Sequence, residues 1–179
     1  MLLIVAVDVP FQLWQYHDKL KMSHQEVKQE GKELEGNPEI KGRIRQLQRE
    51  AARKRMMAAV PAADVIVTNP THYAVALAYS SGMGAPKVLA KGTGEIALKI
   101  RQLGANHGVP TVEAAVLARA LHRHVDLDQE IPAALYAAVA EVLAYVYQLS
   151  HWRQAGGDLP LPPGRIAVPP ELVPEPERG

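Results

Sequence analysis

The sequence predicts an α/β fold: a small mixed β-sheet of about four strands, surrounded by helices and preceded by a long linker helix. Three observations lead there. Short β-branched runs alternate with longer stretches of helical periodicity between residues 61 and 153, the pattern of strands and helices sharing one core. The chain has 179 residues and is 47% hydrophobic, enough for one globular domain plus appendages. Its basic charge is concentrated outside that region: KGRIRQLQREAARKR, residues 41–55, carries seven Lys/Arg against one Glu, a net of +6. With a formal total of +1, the remainder sums to −5, so only this segment could serve a polyanion or membrane surface. One Phe and two Trp make the core aliphatic, and the lack of Cys excludes disulfides and thiolate sites, which suits a reducing compartment.

Residues 1–22 read as the end of a membrane helix and a juxtamembrane stub. The run MLLIVAVDVPFQLW is almost wholly apolar but is broken by Asp8 and Pro10, short of the roughly 20 residues a span needs. It also lacks the basic start and small-residue cleavage site of a signal peptide. Trp14 and Tyr16 followed by Lys19 and Lys21 fit the cytoplasmic exit of a membrane helix. A buried or frayed N-terminal segment fits the same residues equally well.

Residues 23–60 form the basic linker helix, with a break near 36–38. Ser23 and Glu26 make a capping box, and Gly36-Asn37-Pro38 interrupts the helix. Asn37 can cap a new start with Pro38 at its first position, where a missing N–H costs nothing. Ile40, Ile44, Leu47 and Ala51 then form one narrow apolar stripe, and Pro61 ends the helix. Residues 61–153 form the globular domain. Strands are expected at 65–67, 73–79, 87–90 and 109–112, with a loop over 80–86. A helix over 95–107 turns Ile96, Ile100 and Leu103 inward and stops at Gly108. Another follows at 114–122. Pro132 opens a last, deeply packed helix through Leu135, Val139, Val142, Leu143, Val146 and Leu149, with Tyr136, Tyr145 and Tyr147 at its core and boundary. Residues 154–179 hold seven of the 14 prolines and are expected to form a disordered Pro-rich tail.

Four segments invite chemical readings. Ala90-Lys91-Gly92-Thr93-Gly94 lies where phosphate loops lie, but it lacks the Walker spacing and carries Glu95; a tight strand-to-helix turn explains it better. His122-Arg123-His124 has no carboxylate or Cys in a metal-site pattern, so no metal or cofactor is expected. The basic helix has no interleaved aromatic residues to stack on bases and no DNA-reading motif; a solvated face explains it better than nucleic acid, with acidic lipid as the second reading.

The fourth is Asn69-Pro70-Thr71-His72, inside VIVTNPTHYAVALAY. Asn-Pro is an ordinary turn dipeptide. It also permits a reaction. The Asn69 amide nitrogen can attack its own carbonyl carbon, closing a succinimide and expelling the nitrogen of Pro70. The usual competing attack by the next backbone nitrogen, which leads to deamidation, is closed because proline has no N–H. Proline also biases Asn69 toward extended ψ. The His72 imidazole can assist proton transfer, and Thr71 can hold the turn by hydrogen bonding. On the residues alone, both readings stand.

The stretch DVIVTNPTHYAVAL, residues 64–77, resembles the cytoplasmic domain of the type III secretion export switch proteins, the FlhB/YscU family, and its flagellar branch in particular. The same order is kept in GNPEIKGR from Gly36, QLQRE from Gln46, APKVLAKG from Ala85, HGVP from His107, LARAL from Leu117 and AEVLAYVY from Ala140. The likeness covers about residues 8 to 150. It implies a single-turnover self-cleavage between Asn69 and Pro70, not a multiple-turnover enzyme. Asn69 is then the nucleophile, with Thr71 and His72 assisting, and both pieces stay folded together. It implies a place at the cytoplasmic face of the bacterial inner membrane, reached through an N-terminal membrane domain of which this chain keeps only the end. It implies a switch of export from rod and hook to filament proteins. The implied partners are flagellar export substrates, the hook-length control protein, other export-gate components and the chain's own cleaved C-terminal fragment, with no nucleic acid. One departure stands out: the family often has Asn-Pro-Pro after Val112-Glu113, where this chain has Ala114-Ala115-Val116, at a site expected beside the active turn. Ala85-Pro86 and Lys91-Gly92 match the family and are expected to support the same surface. The alternatives are a non-cleaving docking module for export substrates and a basic-helix membrane-surface or nucleic-acid binder.

Overall fold

A computed structural model describes residues 11, 14–16, 38–70, 72–80 and 82–173. The chain divides into two compact units, Met1–Ala51 and Ala52–Gly179. In the first, Phe11 and residues 14–16 are helical, with the rings of Phe11 and Trp14 centred 6.5 Å apart. The expected membrane-helix end and capping box otherwise lie outside the described residues. Helix α1, Pro38–Ala59, whose residues from Ala52 belong to the second unit, starts at the proline the sequence marks and buries no residue. Its stripe of Ile40, Ile44 and Leu47 is 57, 48 and 55% exposed, so this is the solvated helix its composition calls for. Gln46 Nε2 donates to Glu50 Oε1 one turn on, at 2.9 Å.

In the second unit, a 3-10 turn, Val60–Ala62, breaks α1 at Pro61 and seats Val60 fully in the core. Strands β1 (Val65–Asn69), β2 (Tyr73–Ala78), β3 (Lys87–Thr93) and β4 (Thr111–Glu113) form one sheet in the order β3-β2-β1-β4. β1–β2 and β2–β3 are antiparallel; β4 joins β1 in parallel. A parallel neighbour needs a crossover, which helix α2, Gly94–Asn106, supplies. Helices α3 (Ala115–His124) and α4 (Tyr136–Ala155) follow.

Both sheet faces are covered, which is why β1 and β2 read as unbroken apolar runs and not as alternating ones. Ile66, Ala74, Ala76 and Ala90 face α2, with Ala97, Ile100 and Val109. Val65, Val67, Val75, Leu77 and Val88 face α3 and α4, with Leu117, Leu121, Val139 and Val142. The small residues on the α2 side let that helix come close. A Cβ on Gly104 would overlap Ile66 Cδ1, and one on Gly92 would overlap the Ile96 side chain.

Several sequence expectations shift. The fourth strand is Thr111–Glu113, not 109–112, because Val109 turns into the α2 cluster and Pro110 contributes only its carbonyl, which accepts from Ile66 N–H at 2.9 Å. Residues 90–93 are not a turn: β3 runs to Thr93 beside β2, and Gly94, at φ +53°, starts α2 directly. Tyr136 and Tyr147 are 44 and 63% exposed, since they share a flank of α4 beside the buried stripe of Ala138, Val139, Val142 and Leu143, and Val146 and Leu149, toward the end of the helix, are only partly buried. Its stretch Ala133–Ala155 is long and apolar enough to cross a membrane, yet Leu135, Ala138, Val139, Val142 and Leu143 are buried within the domain. The disordered tail expected from 154 is corrected over 156–173. Helix α4 extends to Ala155, and Trp152 Nε1 donates to Gly157 O at 3.0 Å. Ile166 is 8% exposed in the core, with Val168 and Leu172 packed beside it. Proline-rich composition hid three aliphatic anchors that repay the ordering entropy of the segment.

Candidate functional site

The Asn-Pro segment is the tip of the β1–β2 hairpin. β1 ends at Asn69 and β2 begins at Tyr73, and these two residues face each other as the last pair of the antiparallel ladder. The β-branched runs on both sides demand strands, and Pro70, which cannot donate to a ladder, sits where the ladder ends. The turn closes with His72 N–H donating to Asn69 O at 3.0 Å. Asn69 is half-buried, whereas Pro70 and His72 are exposed. Thr71 lies outside the described residues.

Backbone bonds clamp both sides of this tip. His72 O accepts from Gly94 N–H at 3.0 Å, and Thr68 O accepts from Ala114 N–H at 2.9 Å. Thr68 is 3% exposed, with Oγ1 donating to Val112 O at 3.5 Å. The turn is thus held by the start of α2 on one side and by the β4–α3 junction on the other. Ala114, first of the three residues that depart from the family pattern, bonds to the residue next to Asn69, so the departure does adjoin the turn.

The carbonyl of the Asn69–Pro70 bond is the one that His72 N–H reaches. A hydrogen bond at this distance polarises the carbonyl and favours negative charge on its oxygen. An attack by Asn69 Nδ2 on that carbon develops such a charge. The arrangement therefore offers a nucleophile, an electrophile and an oxyanion donor within four consecutive residues. His72 contributes this donor through its main chain, a role no side-chain motif can announce.

Lys91 and Gly92 do not join the turn surface as expected. Lys91 Nζ donates to His122 O at 3.2 Å, to Val125 O at 2.6 Å and to Asp126 Oδ1 at 3.1 Å, which also commits it elsewhere than to a phosphate. Gly92 packs on α2. The His122 and Tyr73 rings meet in a T-shaped contact. Ala85 and Pro86 line a separate open groove of about 330 Å3 with Tyr79, Tyr136, Leu143 and Tyr147.

Comparison with known proteins places the fold and the family. Residues 1–146 match the model of the FlhB HrpN YscU SpaS family. The chain is 58% identical over 170 residues to the flagellar biosynthetic protein FlhB of Escherichia coli K12, covering 94% of this chain and 44% of that protein. It is 48% identical over 149 residues to the FlhB of Bacillus subtilis, covering 83% and 41%. It therefore spans less than half the length of these curated relatives. Among solved structures, the cytoplasmic domain of FlhB from Shewanella putrefaciens superposes with a TM-score of 0.62 at 44% identity, over 68% of this chain and 95% of that one. An EscU C-terminal domain carrying an asparagine-to-aspartate mutation gives 0.51 at 28% identity, over 54% and 90%. The mixed four-stranded sheet with its preceding helix is the fold of that cytoplasmic domain, and the chain belongs to the FlhB/HrpN/YscU/SpaS family.

Proposed function

We propose that this chain is a self-cleaving switch domain of the flagellar type III export apparatus. The bond cut is Asn69–Pro70. Asn69 Nδ2 bonds to the Asn69 carbonyl carbon, and the bond from that carbon to Pro70 N breaks. The proton lost by Nδ2 goes to Pro70 N, which leaves as a secondary amine. The Asn69 end is then a succinimide, which water opens. The observation that carries this reading is the 3.0 Å bond from His72 N–H to the carbonyl under attack. His72 and Thr71 assist with proton transfer and turn geometry. The reaction is intramolecular and single-turnover.

Cutting at a hairpin tip leaves every pair of the β1–β2 ladder in place, so both pieces remain one fold while the tip is freed to reshape. That supports a role as a switch at the cytoplasmic face of the inner membrane, changing export from rod and hook to filament proteins. Its partners are then export substrates, the hook-length control protein and other export-gate components. The groove at Ala85 and Pro86, with exposed Tyr136 and Tyr147, favours a second reading, a docking module for export substrates that does not cut itself.

Intact mass of freshly purified chain, beside Asn69→Ala prepared identically, separates the two. Two pieces, residues 1–69 and 70–179, in the parent alone establish self-cleavage. One uncut mass in both rejects it and leaves the docking module.

A further inference from the structure

We infer that His122 is a positioning residue for the cleavage turn: it braces Tyr73, the cross-strand partner of Asn69, and is itself fixed by Lys91. The inference rests on self-cleavage at Asn69–Pro70 and adds to it a residue far away in sequence.

Register supplies the first step. Residues directly opposite in an antiparallel ladder carry their side chains on the same sheet face, about 5 Å apart at Cβ. Asn69 and Tyr73 are such a pair. Asn69 follows Val65 and Val67 in the alternation, and Tyr73 precedes Val75 and Leu77; all four belong to the cluster beneath α3 and α4. The Tyr73 ring, itself packed against that cluster, is thus the neighbour of the nucleophile on its own face.

The second step is the contact beyond Tyr73. The His122 ring meets the Tyr73 ring at a centroid distance of 5.1 Å and an interplanar angle of 63°, within the edge-to-face range that aromatic pairs favour. His122 lies in the last turn of α3, where carbonyls have no intrahelical partner and carry partial negative charge. Lys91 Nζ supplies the cation, bonding His122 O, Val125 O and the Asp126 carboxylate. Lys91 is paired with Val75, two residues along β2 from Tyr73. Lys91, the end of α3, His122 and Tyr73 therefore close a ring of contacts that returns to the strand it started from.

Such a brace matters because cyclisation needs the amide nitrogen at near-attack distance from its carbonyl carbon. A displacement of about 1 Å, even from a change far from the chemistry, costs on the order of 10²-fold in rate. Without the brace, Tyr73 can swing and Asn69 loses its lateral wall while the ladder itself survives.

The test is a cleavage time course on the full 179-residue chain made by cell-free synthesis and followed by intact mass. His122→Ala is expected to slow cleavage by about tenfold or more, Lys91→Met to slow it similarly, and His122→Phe, which restores an aromatic ring against Tyr73, to return close to the parent rate. Melting temperatures are taken on the same variants carrying Asn69→Ala, so that fold and cleavage are read apart. Leu103→Ala, on the α2 side of the sheet, is the control for loss of stability alone. Three results overturn the inference: His122→Ala cutting at the parent rate, His122→Phe staying as slow as His122→Ala, or Leu103→Ala slowing cleavage as much at an equal loss of melting temperature. A parent chain that never cuts overturns the underlying self-cleavage reading instead, and the inference with it.

Discussion

Exchanging the His72 amide for an ester is the perturbation that isolates the main-chain donor. An α-hydroxy acid analogue of histidine placed at position 72 keeps the imidazole and replaces N–H by oxygen. What it deletes is the 3.0 Å donor to Asn69 O, the carbonyl oxygen of the bond we propose is cut. Removing one oxyanion donor costs about 10²–10³ in rate, or about 2.7–4 kcal/mol. The same bond contributes only about 1 kcal/mol to the fold, so the protein should stay folded while its chemistry nearly stops. His72→Ala is the complement: it keeps the N–H and loses the ring. A well-positioned acid or base contributes about 10²–10⁴-fold, but His72 is exposed, so we expect a loss of only about tenfold, short of abolition. The assay is first-order cleavage after cell-free synthesis with nonsense suppression at codon 72, with circular dichroism to confirm folding. An ester variant that cuts at the parent rate while His72→Ala is dead would refute the oxyanion argument and make the imidazole dominant.

Asn69→Ala should stop cleavage and leave the fold intact, since Asn69 ends a strand and is only half-buried; unfolding by circular dichroism or residual cutting by mass would contradict this. Gly104→Ala should destabilise by about 1–3 kcal/mol through overlap with Ile66, and an unchanged denaturation midpoint would show that the α2 interface yields more easily than its packing suggests. Ile166→Ala should cost about 2 kcal/mol, the low end for emptying a core site, and truncation after Ala155 should cost more; a chain indifferent to both would mean that the tail does not anchor. Replacing Arg45, Arg49 and Arg53 by Gln should change stability by no more than about 0.5 kcal/mol, as exposed sites do. DNA binding that falls steeply with salt and disappears in that variant would instead revive the nucleic-acid reading of the helix.

Much of the fold was legible because the apolar patterns are strong. Val65, Val67, Val75 and Leu77 announce two strands, and Ile96 and Ile100 announce the helix that follows β3 and leads to β4. The misreadings have a shared cause: local composition describes a residue's preference but not what covers it. Ala90-Lys91-Gly92-Thr93 reads as a turn by its glycine, yet it is strand, because α2 packs so close that only glycine fits at 92. The tail reads as disordered by its prolines, yet Ile166 finds a place in the core. Tyr136 and Tyr147 read as core or boundary because they lie on an apolar helix, yet both fall on a flank beside its buried stripe.

Local patterns in the sequence announce the two strands of the hairpin, the long solvated helix, the turn that holds the Asn-Pro bond and the chemistry open to it. Each depends on residues adjacent in the chain: β-branching, a 3.6-residue stripe, and a proline that blocks deamidation. Tertiary structure alone decided which groups attend that bond. The backbone N–H of His72 meets the Asn69 carbonyl only once the turn is closed. Gly94 and Ala114 reach the flanking carbonyls only after α2 has crossed over and β4 has docked. His122 meets Tyr73 only when α3 lies under the sheet. A backbone N–H is the same in every residue but proline, and a contact over some fifty positions leaves no periodicity to read, so the partners of the turn exist only in the folded chain.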